Sequence, residues 1–292
     1  MAIDSPWARL RADFAESRLA MAGLGLLVAL IGLALLAPLL SPQNPYDLAQ
    51  LDILDSKLAP GEKSATGGTY WLGTDDQGRD MLSGILYGLR ISVGVGVAST
   101  GLALSIGMVF GLLSAYFGGW LDAIIMRVVD IQLSFPSILI ALILLAVLGQ
   151  GVDKIIVALV AVQWAYYART VRSAALVERQ KEYVEAAKVL ALSEARVVFR
   201  HLLPNCLPPL IVVATVQVAH AIALEATLSF LGLGLPVTEP SLGLLISNGF
   251  QYLLSGKYWI SFYPGVALLL TIMAINLVAD QLRDVLNPRL RR

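Results

Sequence analysis

Charge is scarce in this chain. Asp, Glu, Lys and Arg supply only 14% of its 292 residues, against about 25% in ordinary soluble domains, so a free-standing water-soluble domain is excluded. Cys206 is the only cysteine, which rules out an internal disulfide and a cysteine-rich metal site; it reads as a small apolar residue at the start of a span. The two histidines, His201 and His220, form no H-E-x-x-H arrangement, and no G-x-S-x-G elbow occurs, so no hydrolase chemistry and no metal site is indicated. Gly256-Lys257 is followed by Tyr258 and lacks the upstream glycine of a phosphate-binding loop. The chain is therefore expected to be non-catalytic and to bind neither ATP nor any other cofactor itself. Internal repeats, low-complexity segments and a second soluble domain are also missing, and no nucleic-acid partner is expected.

What the chain has is apolar residues, 57% of the total. A hydrocarbon core about 30 Å thick requires about 20 of them per helix. Ala20–Leu40, Ile91–Phe117, Pro136–Leu148 with its preceding turn, Val152–Ala168, Pro208–Leu228 and the shorter Tyr263–Asp280 meet or approach that length. The expected fold is all-α, an integral membrane protein of about six transmembrane helices. The first apolar run exceeds the 7–15 residues of a signal peptide and precedes no small-x-small site, so an uncleaved helix in contact with membrane lipid is expected.

Lys and Arg mark the cytoplasmic side. With the N-terminus inside, 15 of the 21 basic residues fall on inner segments, including Arg9, Arg169, Arg172, Arg289, Arg291 and Arg292. Both termini and the segment around Glu185 are then cytoplasmic. The chain divides into 1–90 (tail, first span, external loop and an interfacial helix) and 91–292 (five further spans).

Ser41–Tyr70 reads as an irregular external loop, with Tyr70 and Trp71 suited to the lipid–water boundary. A helical pattern then runs to Arg90; Thr74 or Asp75 is a candidate cap and Asp76 suits its positive end. Asp75, Arg79 and Asp80 are candidates for docking an external partner. Gly107 and Gly111 have GxxxG spacing, which supports close helix packing with no neighbour specified. Arg127 and Asp130 are spaced to interact on one helix. Pro136 is expected to kink or restart a helix, and Gly149-Gln150-Gly151 to turn tightly.

The segment between Arg169 and Asn205 is unlike the rest. Tyr183, Ala186, Ala187 and Leu190 recur at helical spacing, Glu185 and Lys188 can pair on the flank, and Ser193 can cap a second short helix that Pro204 stops. A helix-turn-helix of mixed charge, Glu182, Glu185 and Glu194 included, suits a protein partner better than anionic lipid. In the fifth span Gln217, His220 and Glu225 are candidates for a translocation pathway, because ionisable groups at mid-membrane face protein or water. The alternative for Glu225 is an interhelical hydrogen bond, which is also the preferred reading of His220.

Glu185-Ala186-Ala187, the small Ala191 and Leu203-Pro204 resemble the EAA signature of ABC-importer membrane subunits. Leu72-Gly73-Thr74-Asp75 with Gly78-Arg79-Asp80, Phe199 to Asn205, Ser229-Phe230-Leu231-Gly232-Leu233-Gly234, and Leu282-Arg283-Asp284 with Pro288 are similar to the dipeptide/oligopeptide/nickel permease branch, in its second-subunit type. The resemblance implies a type I ABC-importer permease fold whose cytoplasmic coupling helix, led by Glu185 with Ala186, Ala187 and Lys188, sits on an ATPase subunit. It also implies a bacterial inner-membrane location, a homologous second permease, two ATPases that bind ATP and Mg²⁺, and an external substrate-binding protein. Two positions depart from the pattern. Ala191 replaces the usual Gly, which would cost about 1–2 kcal/mol if the backbone is left-handed there. Ser83-Gly84 replaces Ser-Arg, which removes a positive charge from the outer mouth. The competing reading is a self-sufficient, ion-coupled secondary transporter, for which Glu225 and Asp130 would be the coupling groups.

Overall fold

The computed structural model describes residues 6–47, 51–64 and 67–286; the side chains of Pro6, Trp7, Arg9 and Lys188 lie outside that description. Pro288, Arg289, Arg291 and Arg292 therefore fall outside the described residues. The chain is helical: α1 Pro6–Ala15, α2 Arg18–Leu35, α3 Ala37–Leu40, α4 Met81–Phe117, α5 Gly119–Ser134, α6 Ser137–Leu148, α7 Val152–Glu178, α8 Glu182–Val189, α9 Glu194–Arg196, α10 Leu203–Phe230, α11 Leu242–Phe250 and α12 Trp259–Leu286. Among the described residues there are two isolated β-bridges, Lys63 with Thr69 and Thr74 with Asp80, and no β-strand.

Four helical runs are each long and apolar enough to cross a membrane: Arg18–Leu35, Met81–Phe117, Glu194–Phe230 and Trp259–Leu286. A fifth exists if α5 and α6, bent by 93° at the break before Pro136, count as one. The sixth expected span, α7, is 27 residues long but carries Asp153 and Lys154 in its first turn and Gln163 at mid-length. It can afford them because it is the interior helix, packed by α4, α5, α6 and α10. Gln163 is buried and donates its amide to the Gln217 carbonyl of α10 at 3.1 Å, so the polar group is satisfied where lipid could not satisfy it.

Several local expectations are corrected. The interfacial helix and the second span are one helix, α4, which runs unbroken through Arg90 and Ile91. Its cap is Asp80, whose carboxylate accepts from the Ser83 amide at 2.8 Å; Thr74 and Asp75 are instead taken up by the loop. The first span is interrupted at Leu36, two residues before Pro38, and a short α3 completes it. Asp130 pairs with Arg169 across α5 and α7, not with Arg127 on its own helix. Beside it Arg172 grips Asp122 with two 2.6 Å bonds, and Ser114 of α4 also donates to Asp122. Three helices are thus tied at one end of the bundle.

Gly107 and Gly111 face α7. A Cβ on Gly107 would lie 2.5 Å from the Trp164 carbonyl, and one on Gly111 would lie 2.6 Å from that of Ala168. The close α4–α7 contact exists because neither residue has a side chain. Gly107→Leu is expected to push the helices apart and lower stability by about 1–3 kcal/mol or more. The readout is the melting temperature of the purified protein, with Gly94→Leu, which meets nothing within 4 Å, as a near-neutral control.

Candidate functional site

Between α7 and α10 the chain leaves the apolar bundle and returns to it, and every turn of that excursion has an identifiable cause. The end of α7 is anchored by Arg179, which donates to the Ala115 carbonyl at 2.8 Å and lies over the Tyr116 ring. Glu178 accepts from Lys181 at 2.6 Å and from the Tyr183 hydroxyl at 2.7 Å. Burial, and then the Glu178 carboxylate, raise the Tyr183 phenol above its ordinary value, so it remains a neutral donor.

The helix α8 rests on Val184 and Ala187, which are buried with Val197 against Tyr116 and Leu192. This corrects the face read from sequence: Ala187 and the half-buried Tyr183 point inward, whereas Ala186 and Leu190 are exposed and Val184 takes the central place. The free side presents Glu182, Glu185 and Ala186, continued by Val189 and Leu190 at 86% and 73% exposure. Sequence reasoning missed Val189; its signal was an apolar β-branched residue one position from the face that Tyr183, Ala186, Ala187 and Leu190 mark. The Lys188 side chain, and so its pairing with Glu185, lies outside the described residues.

The turn that closes α8 is made at Ala191, whose φ is +51°. The Leu192 amide reaches back five residues to the Ala187 carbonyl at 3.2 Å, the closure for which glycine is the usual choice. The left-handed geometry is thus present and the alanine bears it. Ala191→Gly is expected to raise thermal stability by about 1 kcal/mol or slightly less, because the relief of about 1–2 kcal/mol is partly offset by glycine's freedom in the unfolded chain. A lower melting temperature for Ala191→Gly than for wild type would contradict the strain.

Ser193 takes the N-cap position of α9, as expected, though its side chain makes no capping bond. Pro204 does not stop the helix. Val197–Leu202 is a π-turn, the Leu203 amide bonds to the Val198 carbonyl, and Leu203 keeps helical angles. The wider turn absorbs the donor that Pro204 lacks, so the run from Glu194 to Phe230 is continuous. Leu203 is half-buried, and Pro204 is exposed beside it.

The three fifth-span candidates are separated by the structure. Glu225 is fully buried and accepts 2.8 Å bonds from Ser92 of α4 and from Ser229. The loop after α10 closes over it, with Gly234 so near that a Cβ there would lie 2.2 Å from the Ser229 hydroxyl. Gln217 is buried and its side-chain amide nitrogen has no partner among the described residues. His220 is exposed at mid-helix. It continues, at helical spacing through Val216, the α10 face on which Pro209 and Val213 line a cavity shared with Arg169, Thr170 and Ser173 of α7.

Asp75, Arg79 and Asp80 are not a display surface. Their exposures are 0%, 2% and 2%. Asp75 accepts from the Gln77 and Arg79 amides and pairs with Arg79 Nε at 2.9 Å. Arg79 also donates to the Val237 carbonyl at 3.0 Å, and Trp259 donates to that of Thr74 at 3.1 Å. Burial lifts the Asp75 carboxyl above its ordinary value despite the adjacent guanidinium. These residues fasten the 51–80 segment to the bundle.

Residues 107–292 match the family described as binding-protein-dependent transport system inner membrane component. Residues 5–60 match the N-terminal transmembrane domain of oligopeptide transport permease C. The chain belongs to the binding-protein-dependent transport permease family. The permease is 35% identical to the dipeptide transport system permease protein of Alkalihalophilus pseudofirmus over 98% of its own length and 91% of that protein's. It is 37% identical to the oligopeptide transport system permease protein of Bacillus subtilis, over 99% and 91%. Among solved structures it resembles the inward-facing MetNI methionine ABC transporter, with a TM-score of 0.58 at 21% identity over 71% of this chain and 98% of that one. An amino acid ABC transporter aligns with a TM-score of 0.53 at 12% identity, over 68% and 92%. The fold is therefore that of a type I ABC-importer permease, a class of membrane subunit that is generally non-catalytic and works with ATPase and substrate-binding partners.

Proposed function

We propose that this permease forms half of the translocation pathway of an ATP-driven importer of dipeptides, oligopeptides or similar small solutes. The observation that carries the proposal is α8, a helix held outside the apolar bundle with Glu185, Ala186, Val189 and Leu190 turned outward. An exposed apolar patch with an acidic flank fits a protein partner. An ABC ATPase would seat there, with Ala186 allowing close approach.

The relatives' names supply the substrate class. Two ATPases would bind ATP and Mg²⁺, a homologous second permease would supply the other half-pathway, and an external binding protein would deliver cargo. The excess of Lys and Arg on these segments supports a cytoplasmic side for α8 and both termini, in a bacterial inner membrane. α8 leans on Tyr116 of α4 and, through Val197, on the π-turn leading into α10, so displacement of α8 would drive α4 and α10 as rigid bodies.

His220 would face the conduit, because an exposed ionisable side chain at mid-span cannot face lipid cheaply. Glu225 would act as the clasp between α4 and the outer end of α10, and Gln217, one turn before His220, would lie where α10 meets Gln163 of α7.

Reconstitution tests the reading. The full complex in proteoliposomes is expected to take up peptide only with ATP and the binding protein present. Uptake by this chain alone, driven by an ion gradient without nucleotide, would overturn it in favour of a secondary transporter.

A further inference from the structure

A cavity of about 800 Å³ opens between the Glu185-side ends of α7, α10 and α12. Its walls are apolar at Val177, Val212, Val213 and Leu286, and polar at Thr170, Ser173, Asn205 and Arg283. The charges around it are settled with one exception. Arg169 is paired with Asp130, and Glu178 is held by Lys181 and Tyr183. Arg283 is exposed, and among the described residues no carboxylate closes on it, neither Asp280 three residues before nor Asp284 beside it. On the facing wall Pro209 has no N–H, which leaves the Asn205 carbonyl without its helical donor. The cavity thus offers a free guanidinium, an under-used carbonyl and apolar walls between them.

We propose that this cavity is a release site for the transported peptide, in which Arg283 holds the free C-terminal carboxylate and the Asn205 carbonyl faces the amino group. The inference rests on the permease reading above and adds to it a place where cargo pauses before entering the cytoplasm. A guanidinium binds a carboxylate with paired, charge-assisted hydrogen bonds, and the valines and Leu286 accept side chains without selecting among them. Peptide accumulating on the cytoplasmic side then occupies the site and slows further transport.

The test uses the assembled transporter in proteoliposomes with its ATPases outward, binding protein and labelled peptide trapped inside, and ATP added outside. Release of label is followed while unlabelled dipeptide, or the same dipeptide as its C-terminal amide, is added outside. The wild-type complex is expected to be inhibited by the free acid and not by the amide. Arg283→Gln is expected to weaken that inhibition about tenfold, the scale of one charge-assisted hydrogen bond, with Arg283→Lys partly restoring it. Equal inhibition by acid and amide, or unchanged inhibition in Arg283→Gln, would overturn the site. So would an Arg283→Gln effect that vanishes in membranes lacking anionic lipid, which would assign Arg283 to a headgroup. Absence of ATP-driven release in the wild-type complex under any condition would sink the permease reading instead.

Discussion

Glu185→Arg abolishes coupling: in the reconstituted transporter, peptide uptake is expected to fall at least about 30-fold. The free face of α8 carries Glu182 and Glu185 beside Ala186, Val189 and Leu190, so the partner's cleft should be apolar with a basic rim. Reversing a charge that faces that basic rim replaces attraction by like-charge repulsion, at a cost of about 2 kcal/mol or more, which converts to that factor. The permease itself should be undisturbed, because Glu185 is exposed while Val184, Ala187 and Val197 seat the helix. Unchanged melting temperature with lost uptake and lost ATPase co-purification is the expected pattern. Undiminished assembly and transport would remove Glu185 from the coupling role.

The exposed place of Glu185 on a helix was readable from sequence because its environment is local. The spacing of Tyr183, Ala186, Ala187 and Leu190 gives a helix, the surrounding polarity puts it outside the bundle, and Ser193 marks the next start. What could not be read depended on distant chain. Pro204 looked like a stop because proline disfavours helical geometry at the residue before it; a π-turn at Val197–Leu202 removes the conflict without breaking the run. Asp130 stood three residues from Arg127 and was assigned to it, but Arg169 comes nearer across the α5–α7 contact. Glu225 announced itself as a polar residue in a span. Its clasp partner Ser92 lies 133 positions away, beyond anything a local pattern can specify. Among Thr74, Asp75 and Asp80, three cap-type residues within seven positions, composition had no means of choosing Asp80.

Arg79→Leu is expected to destabilise the permease by about 3–5 kcal/mol, because it leaves the Asp75 carboxylate buried without its cation. It also removes the bond to the Val237 carbonyl, which joins the 51–80 segment to the loop between α10 and α11. The double variant Asp75→Leu, Arg79→Leu is expected to lose less than the single one, since no unpaired charge remains. Thermal melting and protease sensitivity of the segment near Tyr70 read the effect. A role in docking an external protein predicts the opposite: unchanged melting with weakened binding of that protein. The full burial of Asp75 argues for the structural role.

Transmission follows from the same contacts. Arg179 bonds to the Ala115 carbonyl, Tyr116 packs on α8, and Asp122, Arg172 and Ser114 lock α4, α5 and α7 at that end. At the other end Glu225 joins α10 to α4. Between these two clasps the Gly107 and Gly111 contact packs α4 closely on α7.

The central claim is that α8 is a handle gripped by an ATPase. Ala186→Cys tests it directly in the assembled transporter, because the native Cys206 is buried and leaves the new thiol as the reactive one. The account predicts a short-linker cross-link from position 186 to an ATPase subunit, with a yield that changes when ATP is added. A thiol at 186 that reacts freely with a soluble probe in the intact complex and cross-links to no ATPase would contradict it.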